Sequence, residues 1–410
     1  MDFSDTKEEA EYRARARTWL SENAELKRPG STFKVKYGAD DLVPLAQDWQ
    51  LKKYAAGYAG ITLPKEYGGQ GGTQLQQVIY NQEEANYVTP RGVYEIGLGM
   101  CIPTMLTYAT EEQKTRYAVP ALEGKEIWCQ LFSEPSAGSD LAGLRTRCVR
   151  DGDDWIINGQ KIWTSGAHFS DYGVIVVRSD PNAPKHKGLT YFFLDMKSPG
   201  IEVRRIKQVS GVSNFNEVFF TEVRVPDSQR LSDVGNGWRV SITTLMNERL
   251  AVGERPAPDF DEIFALARDL HLEDGPAIAD TAVREKLARC YVEQQGLKLT
   301  RYRTITALSR GAEPGPEASI TKVVGGRKHQ EIANFGMDLM DMASIMMDDE
   351  AMPMRALFQE ALLSSPSGRI AGGSDEILRN IIAERVLGLP ADIRVDKDMP
   401  FNQLPTGSGE

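Results

Sequence analysis

Cysteine and histidine are both scarce in this chain of 410 residues, four of each. Cys101, Cys129, Cys148 and Cys290 are scattered and form no Cys-x-x-Cys pair, so neither a disulfide framework nor a thiolate zinc site is expected. His168, His186, His271 and His329 make no ligand-spaced pair, which argues against a histidine metal centre. Basic charge is not in excess: 48 Lys and Arg stand against 58 Asp and Glu, a net charge of −10. Nonspecific nucleic-acid binding needs a basic face and is not expected, although a local basic cluster could still meet an anionic substrate. No uninterrupted apolar run approaches the length that spans a membrane. The N-terminus, MDFSDTKEEAEYRARAR, is charged and helical in pattern and does not read as a signal peptide. The reading is a cytoplasmic globular protein of two or three domains.

What is present falls into three blocks. Residues 5 to about 126 read as helical. Asp5 or Thr6 is placed to cap the first helix with Glu8 or Glu9 completing a capping box, and Tyr12, Ala16, Trp19 and Leu20 form its apolar stripe. LPKEYGGQGG (63–72) is a Gly-rich break without the strand-then-helix setting of a dinucleotide fingerprint, and it reads as a turn. From about 127 to 234 the segments WIING, QKIWTS, YGVIVVRS, LTYFFLDM, IEVRRI and NEVFFTEVRVP alternate with turns, as in a small β-barrel or sandwich. Asn158-Gly159 between apolar runs predicts a hairpin turn. From about 236 the chain returns to helices, with a connection at RGAEPGPEAS (310–319). A last helix opens near Ser374, with Ile377, Leu378, Ile381, Ile382 and Val386 on its buried side, and Gly388 and Pro390 stop it. Residues 391–410 read as a polar tail. The expected class is α+β: 1–126 helical, 127–234 β, 235–390 a helical bundle.

The stretch from Trp128 to Gly166 carries the most chemical information. LFSEPSAGSD is a hydroxyl-rich loop that exposes backbone N–H groups, and Trp163 and Ser165 follow two residues apart on a strand, on one face. A ring, a hydroxyl and a polar loop suit a flat heterocycle. These two motifs, together with LPKEYGG (63–69), VRVP (223–226) and AGGSDEILRNIIAERVLGLP (371–390), resemble the acyl-CoA dehydrogenase family over roughly residues 5 to 390.

That resemblance implies an N-terminal helical domain, a middle β-barrel domain and a C-terminal four-helix bundle, with FAD between the latter two. It implies removal of two hydrogens from an acyl-CoA thioester to give the trans-2-enoyl-CoA. A carboxylate base takes the α-proton, hydride from the β-carbon goes to flavin N5, and the electrons pass to an electron-transferring flavoprotein. Carried onto this chain, Ser133 and the backbone of Gln130, Leu131 and Phe132 neighbour the flavin. Gly138 meets the flavin, Ser139 meets the pantetheine chain, Trp163 covers the isoalloxazine, and Ser165 bonds near N5. Ser374 matches a flavin-side Thr and is also a good N-cap. Lys185, His186 and Lys187 form a small basic loop that either meets CoA phosphates or is simply solvated.

The base is the point of departure. Many members carry a Glu where this chain has Gly372, and a glycine takes no proton. A second branch carries it on the first C-terminal helix in a Glu-Arg-Leu context, and Glu248-Arg249-Leu250 stands there. By this resemblance Glu248 is the base, Arg249 lies near the CoA moiety, and the Gly372 amide supports the thioester oxygen. Leu245 and Val252 share the Glu248 face of a helix, which would partly desolvate the carboxylate and raise its pKa.

The family's Arg-x-Phe-Gly segment, which reaches the FAD pyrophosphate across a subunit boundary, has no counterpart beyond Arg268. Asp338, in MDLMDMAS, stands where Gln-x-x-Gly-Gly would meet the adenine side. A homotetramer with divergent FAD contacts and a heterotetramer with a related subunit, as in bacterial steroid side-chain breakdown, are both open. Rival readings are an acyl-CoA oxidase, a flavin monooxygenase of the same fold, and a non-catalytic partner subunit.

Overall fold

The computed structural model describes residues 5–28, 42–251, 257–309, 315–316, 318–347, 352–393 and 396–404; side chains 248–251, 305, 308–309 and 318 lie outside that description. The elements in order are α1 (Lys7–Asn23), β1 (Glu25–Leu26), α2 (Leu42–Ala55), α3 (Gln74–Glu84), β2 (Tyr87–Val88), α4 (Ile102–Tyr108) and α5 (Glu111–Leu122). The strands β3 (Trp128–Leu131), β4 (Arg147–Asp151), β5 (Asp154–Ser165), β6 (Tyr172–Arg178), β7 (Leu189–Asp195), β8 (Ile201–Ile206) and β9 (Phe215–Pro226) follow. The rest comprises α6 (Gly237–Ala251), α7 (Phe260–Asp269), β10 (His271–Leu272), β11 (Gly275–Pro276), α8 (Thr281–Ser309), α9 (Ala318–Met340), α10 (Leu357–Ser364) and α11 (Asp375–Ile381). Helices, strands, helices is the order expected. Among the described residues no helix is long and apolar enough to cross a membrane.

The chain divides into two compact bodies that cut across the sequence blocks. One holds residues 1–34, 73–89 and 253–391; the other holds 35–72, 90–252 and 392–410. In the first body, Thr6 and Glu9 form the expected capping box of α1, an arrangement worth about 1 kcal/mol. Ala16 and Leu20 are its buried positions. Arg13 and Arg17 of α1 both donate to the buried carboxylate of Glu83 in α3, at 3.1 and 2.8 Å, which ties the two helices together. Ile263 and Leu266 of α7, Leu287 of α8, Phe335 of α9 and Phe358 of α10 fill one core. Gly336 permits this packing, because a Cβ there would lie 2.1 Å from the Phe358 ring.

In the second body the strands form one seven-stranded sheet of order β3-β6-β4-β5-β9-β8, with β7 on the other edge of β6. That order ends at β3 and β8, with β7 beside β6, and the strands curl as one sheet, the β domain expected in the middle of the chain. β6 and β7 are buried on both faces. Ile175, Val177, Phe192 and Leu194 point into a core with β5 and β9. Val174, Val176, Tyr191 and Phe193 point into another with α4, α5 and α6. Period-two alternation therefore serves two cores at once.

The Asn158-Gly159 turn is corrected. β5 runs unbroken through both residues, and the hairpin turns instead at Gly152-Asp153, where Asp151 pairs with Asp154 and Gly152 has φ +64°. Asn158 and Gly159 mark a bulge. The Asn158 amide donates to Glu222 Oε1 (2.7 Å) and accepts from the Glu222 N–H (2.9 Å), and a Cβ on Gly159 would sit 2.5 Å from Thr146 Oγ1. The last helix is corrected too: Leu378 is buried, but Ile377 and Val386 are exposed. Part of the tail is folded back on the chain, where Pro184 and Pro400 form a β-bridge.

Candidate active site

β3 runs parallel to β6 and delivers Gln130 and Leu131 opposite Val174 and Ile175. The Leu131 side chain is buried in the sheet core, so only its backbone is available to a ligand at that position. Phe132 packs edge-on against Tyr191 at 5.8 Å. The Phe132 carbonyl accepts from Lys161 Nζ (3.0 Å), and the Ser133 carbonyl accepts from the Ile162 N–H (2.9 Å). A two-residue turn follows, closed by reciprocal backbone bonds between Glu134 and Ala137. Gly138 and Ser139 lie exposed beyond it, and a Cβ on Gly138 would meet no heavy atom within 4 Å.

An ion pair not singled out in the sequence fixes this loop. Lys161, fully buried on β5, pairs with Glu134 at 2.8 Å. Glu134 also accepts from the backbone N–H groups of Arg145 (2.6 Å) and Thr146 (2.9 Å). Burial alone would raise the Glu134 pKa, but the Lys161 ammonium and these donors hold it below the usual carboxylate value. A Lys on a strand otherwise alternating with apolar residues, with a Glu in the preceding loop, was the signal available.

Trp163 stands at a second bulge. Lys161 pairs with Val218 and Thr164 with Asn216, so two β5 residues face one on β9. Trp163 takes φ +59°, a left-handed conformation costly for a bulky residue, and is 55% exposed. Its ring stands edge-on to Phe215 at 6.0 Å. Thr164 is buried with Oγ1 lacking a partner, while Trp163 and Ser165 are not buried. An exposed indole in a strained conformation, beside a polar loop with open space at Gly138, fits an isoalloxazine ring, which stacks on aromatic faces.

α6 carries Glu248 and Arg249, whose side chains lie outside the described residues. The preceding turn is firmly held. Thr244 Oγ1 lies 2.9 Å from Tyr191 OH on β7 and accepts from Thr104 Oγ1 of α4 at 3.0 Å. Burial pushes the Tyr191 phenol well above its ordinary pKa, so it stays protonated and available as a donor. Tyr108 OH and Thr243 Oγ1 make a further contact at 2.9 Å. Each such bond contributes about 1 kcal/mol, and together they fix the rotation of α6 one turn before Glu248.

The first body holds Gly372, Gly373 and Ser374. The glycines adopt φ +63° and +93°, open only at a cost to other residues. Ser374 caps α11 as expected, accepting from the Ile377 N–H at 3.4 Å. The Gly373 carbonyl accepts from Lys322 Nζ of α9, and Arg369 joins Asp375 (2.8 Å) to Gln330 (3.1 Å). Both glycines therefore sit in a loop anchored on α9. Arg268 is exposed and pairs with its neighbour Asp269; Asp338 is exposed, 3.9 Å from Lys286.

The basic loop is not a solvated cluster. Lys185 is buried between Asp140 and Asp396, His186 packs edge-on to Trp238 at 4.7 Å, and only Lys187 is exposed. All four cysteines are free thiols, and no metal-holding cluster occurs among the described residues.

Family models agree with this architecture. The acyl-CoA dehydrogenase N-terminal, middle and C-terminal domain models match residues 6–125, 129–223 and 235–387. The chain belongs to the acyl-CoA dehydrogenase family and is an oxidoreductase of that class. Among curated relatives, acyl-CoA dehydrogenase IpdE1 of Mycobacterium tuberculosis is 33% identical over 395 residues, covering 94% of this chain and 98% of the relative. Acyl-CoA dehydrogenase FadE34 of the same organism is 39% identical over 329 residues, and the match spans 80% of this chain but 44% of FadE34. Among solved structures, the Tcur3481-Tcur3483 steroid ACAD aligns with a TM-score of 0.81 at 28% identity, covering 96% of this chain and 100% of that one. The ChsE4-ChsE5 complex from Mycobacterium tuberculosis aligns at 0.78 and 26%, covering 96% and 100%. Family members bind FAD, and relatives form complexes of two kinds of chain.

Proposed function

We propose that this chain is an FAD-dependent dehydrogenase of a bulky acyl-CoA ester, with Glu248 as the base that removes the α-proton. The observation that carries this reading is paired. Gly372, in a left-handed conformation, replaces the carboxylate of many family members, while the turn preceding Glu248 is locked by Thr244 to Tyr191 and Thr104. When bound, FAD supplies the acceptor for hydride from the β-carbon. Trp163 would cover one face of the flavin ring, Ser165 would bond near its edge, and Gln130, Leu131, Phe132, Ser133 and Gly138 would line it through backbone and hydroxyl groups. Ser374 does the same from α11. The Gly372 N–H donates to the thioester oxygen and stabilises the charge developing there. Ser139 and Arg249 hold the CoA portion. An electron-transferring flavoprotein would be the acceptor of the electrons, and the division 1–126, 127–234, 235–390 would describe the three family domains.

A bulky ester is favoured because a steroid ACAD is among the structures this chain resembles at 28% identity. A second reading, a subunit that shares its FAD site with a related chain, rests on Arg268 and Asp338, neither within a glycine-containing family segment. Met342, Ile345, Met346 and Met347 beside Asp338 are all exposed, and such an apolar patch suits coverage by another subunit. Either a homotetramer or a heterotetramer would cover it.

Anaerobic titration of the FAD-supplemented chain with straight-chain and bulky acyl-CoA esters tests this. Bleaching of the flavin band by wild type, but not by Glu248→Gln, is expected. Absence of flavin binding and of bleaching with every ester would favour the shared-site subunit.

A further inference from the structure

The segment Asp396–Leu404 is folded against the β body, not trailing from it. Pro400 bridges Pro184, the Phe401 N–H donates to the Ala183 carbonyl (3.0 Å), and the Asn402 N–H donates to the Pro181 carbonyl (3.0 Å). The Asn402 side chain donates to Asn182 Oδ1 at 2.9 Å. Asp396 pairs with Lys185, which also holds Asp140 at 3.0 Å. The Phe401 ring lies over the Arg178 guanidinium, 3.6 Å from carbon to centroid, with Arg145 at 5.5 Å.

Arg178 is the hub beneath this strap. It is buried on β6 and donates to the carbonyls of Ala142 (2.5 Å), Leu144 (3.3 Å) and Lys185 (2.8 Å). The loop 138–144 is thus held at two places: Asp140 through Lys185 to Asp396, and Ala142 and Leu144 through Arg178 to Phe401. The end of that loop at Gly138-Ser139 is exposed. Pre-ordering such a loop reduces the entropy lost when a ligand binds.

We infer that the Asp396–Leu404 strap positions the loop 139–144 to receive the CoA-bearing arm of the substrate, with Phe401 and Asp396 as positioning residues. The inference rests on the proposed acyl-CoA reading. It assigns the tail a role in substrate affinity, separate from proton abstraction and from flavin binding.

The test uses the full chain supplemented with FAD and the variants Phe401→Ala, Phe401→Trp and Asp396→Asn. Hydrogen–deuterium exchange of peptides covering 136–145 is read first, because it needs no turnover. Phe401→Ala is expected to raise exchange there and to leave α1 and α3 unchanged. Binding of coenzyme A itself, measured by calorimetry, is expected to weaken about tenfold in Phe401→Ala and less in Asp396→Asn, with Phe401→Trp near wild type. Bound flavin is expected to stay equal in all variants, and in turnover KM rises more than kcat falls. Unchanged exchange at 136–145 would overturn the strap. Raised exchange with unchanged coenzyme A binding would overturn its substrate role, as would loss of flavin in parallel with loss of affinity. Wild type that binds no coenzyme A, yet shows the exchange effect, would instead overturn the acyl-CoA reading and with it the strap's role toward that ligand.

Discussion

Trp163 and Phe215 stand edge to face, 6.0 Å apart, where a bulge in β5 throws the register against β9 and forces Trp163 to φ +59°. The indole is more than half exposed, so burial in the described chain does not offset the strain. The arrangement makes sense if the exposed ring face is used by a ligand.

Trp163→Ala should therefore weaken flavin binding by about two- to tenfold or more, because ring stacking alone contributes roughly 0.5–1.5 kcal/mol beyond the area buried. Thermal stability of the apo-protein should hardly move, since surface substitutions change it by about 0.5 kcal/mol or less. Flavin fluorescence titration and a melting curve without FAD read the two effects separately. A large fall in apo stability with intact flavin affinity would mark Trp163 as a structural residue.

Glu248→Gln should cut kcat by about 10²–10⁴-fold while flavin content stays at the wild-type level. Adding Gly372→Glu to that variant should not restore turnover, because a residue with a Cβ at φ +63° costs about 1–2 kcal/mol. Single-turnover flavin reduction measures both. Recovery in the double variant would show that the two base positions are interchangeable here.

Thr244→Val leaves the buried Tyr191 hydroxyl and Thr104 without their shared partner, at a cost of about 1–3 kcal/mol. Thr244→Ser keeps the hydroxyl. The valine variant should unfold at lower denaturant and show a reduced kcat with an altered pH profile, and the serine variant should restore the profile. A pH profile identical in all three proteins would confine Thr244 to stability.

The Lys161–Glu134 pair should govern both stability and its acid limit. Lys161→Met leaves Glu134 buried without its cation and should destabilise the chain by about 3–5 kcal/mol. Glu134 has a folded pKa below its unfolded value of about 4.3. Its contribution is therefore present above about pH 4.3 and is lost as pH falls through the lower folded value. Glu134→Gln should be less stable at neutral pH yet lose stability less steeply below about pH 4. Urea denaturation at several pH values would reveal parallel slopes if the pair contributed nothing.

Local chemistry in the sequence reached far. Thr6 and Glu9 cap α1, Pro226 ends β9, and Ser374 caps α11, because each depends only on residues a few positions away. The change from helical to alternating periodicity near residue 127 marked the β segment for the same reason. Asn158-Gly159 misled because the same dipeptide serves a turn or a bulge. Here the choice fell to Glu222, 64 residues on, whose backbone and carboxylate engage Asn158.

The sequence alone determined the order of element types, the family resemblance, and the identity of the groups at the site: a Gly at 372, a Glu at 248, a Trp at 163. These follow from residue type and short-range spacing. Only the tertiary structure decided that α1 and α3 pack with the C-terminal helices while α4 and α5 pack on the sheet. It also decided that Lys161 is paired with Glu134 and that Phe401 covers Arg178. Those outcomes depend on which distant surfaces can bury one another and satisfy their polar groups, and no local pattern encodes that choice.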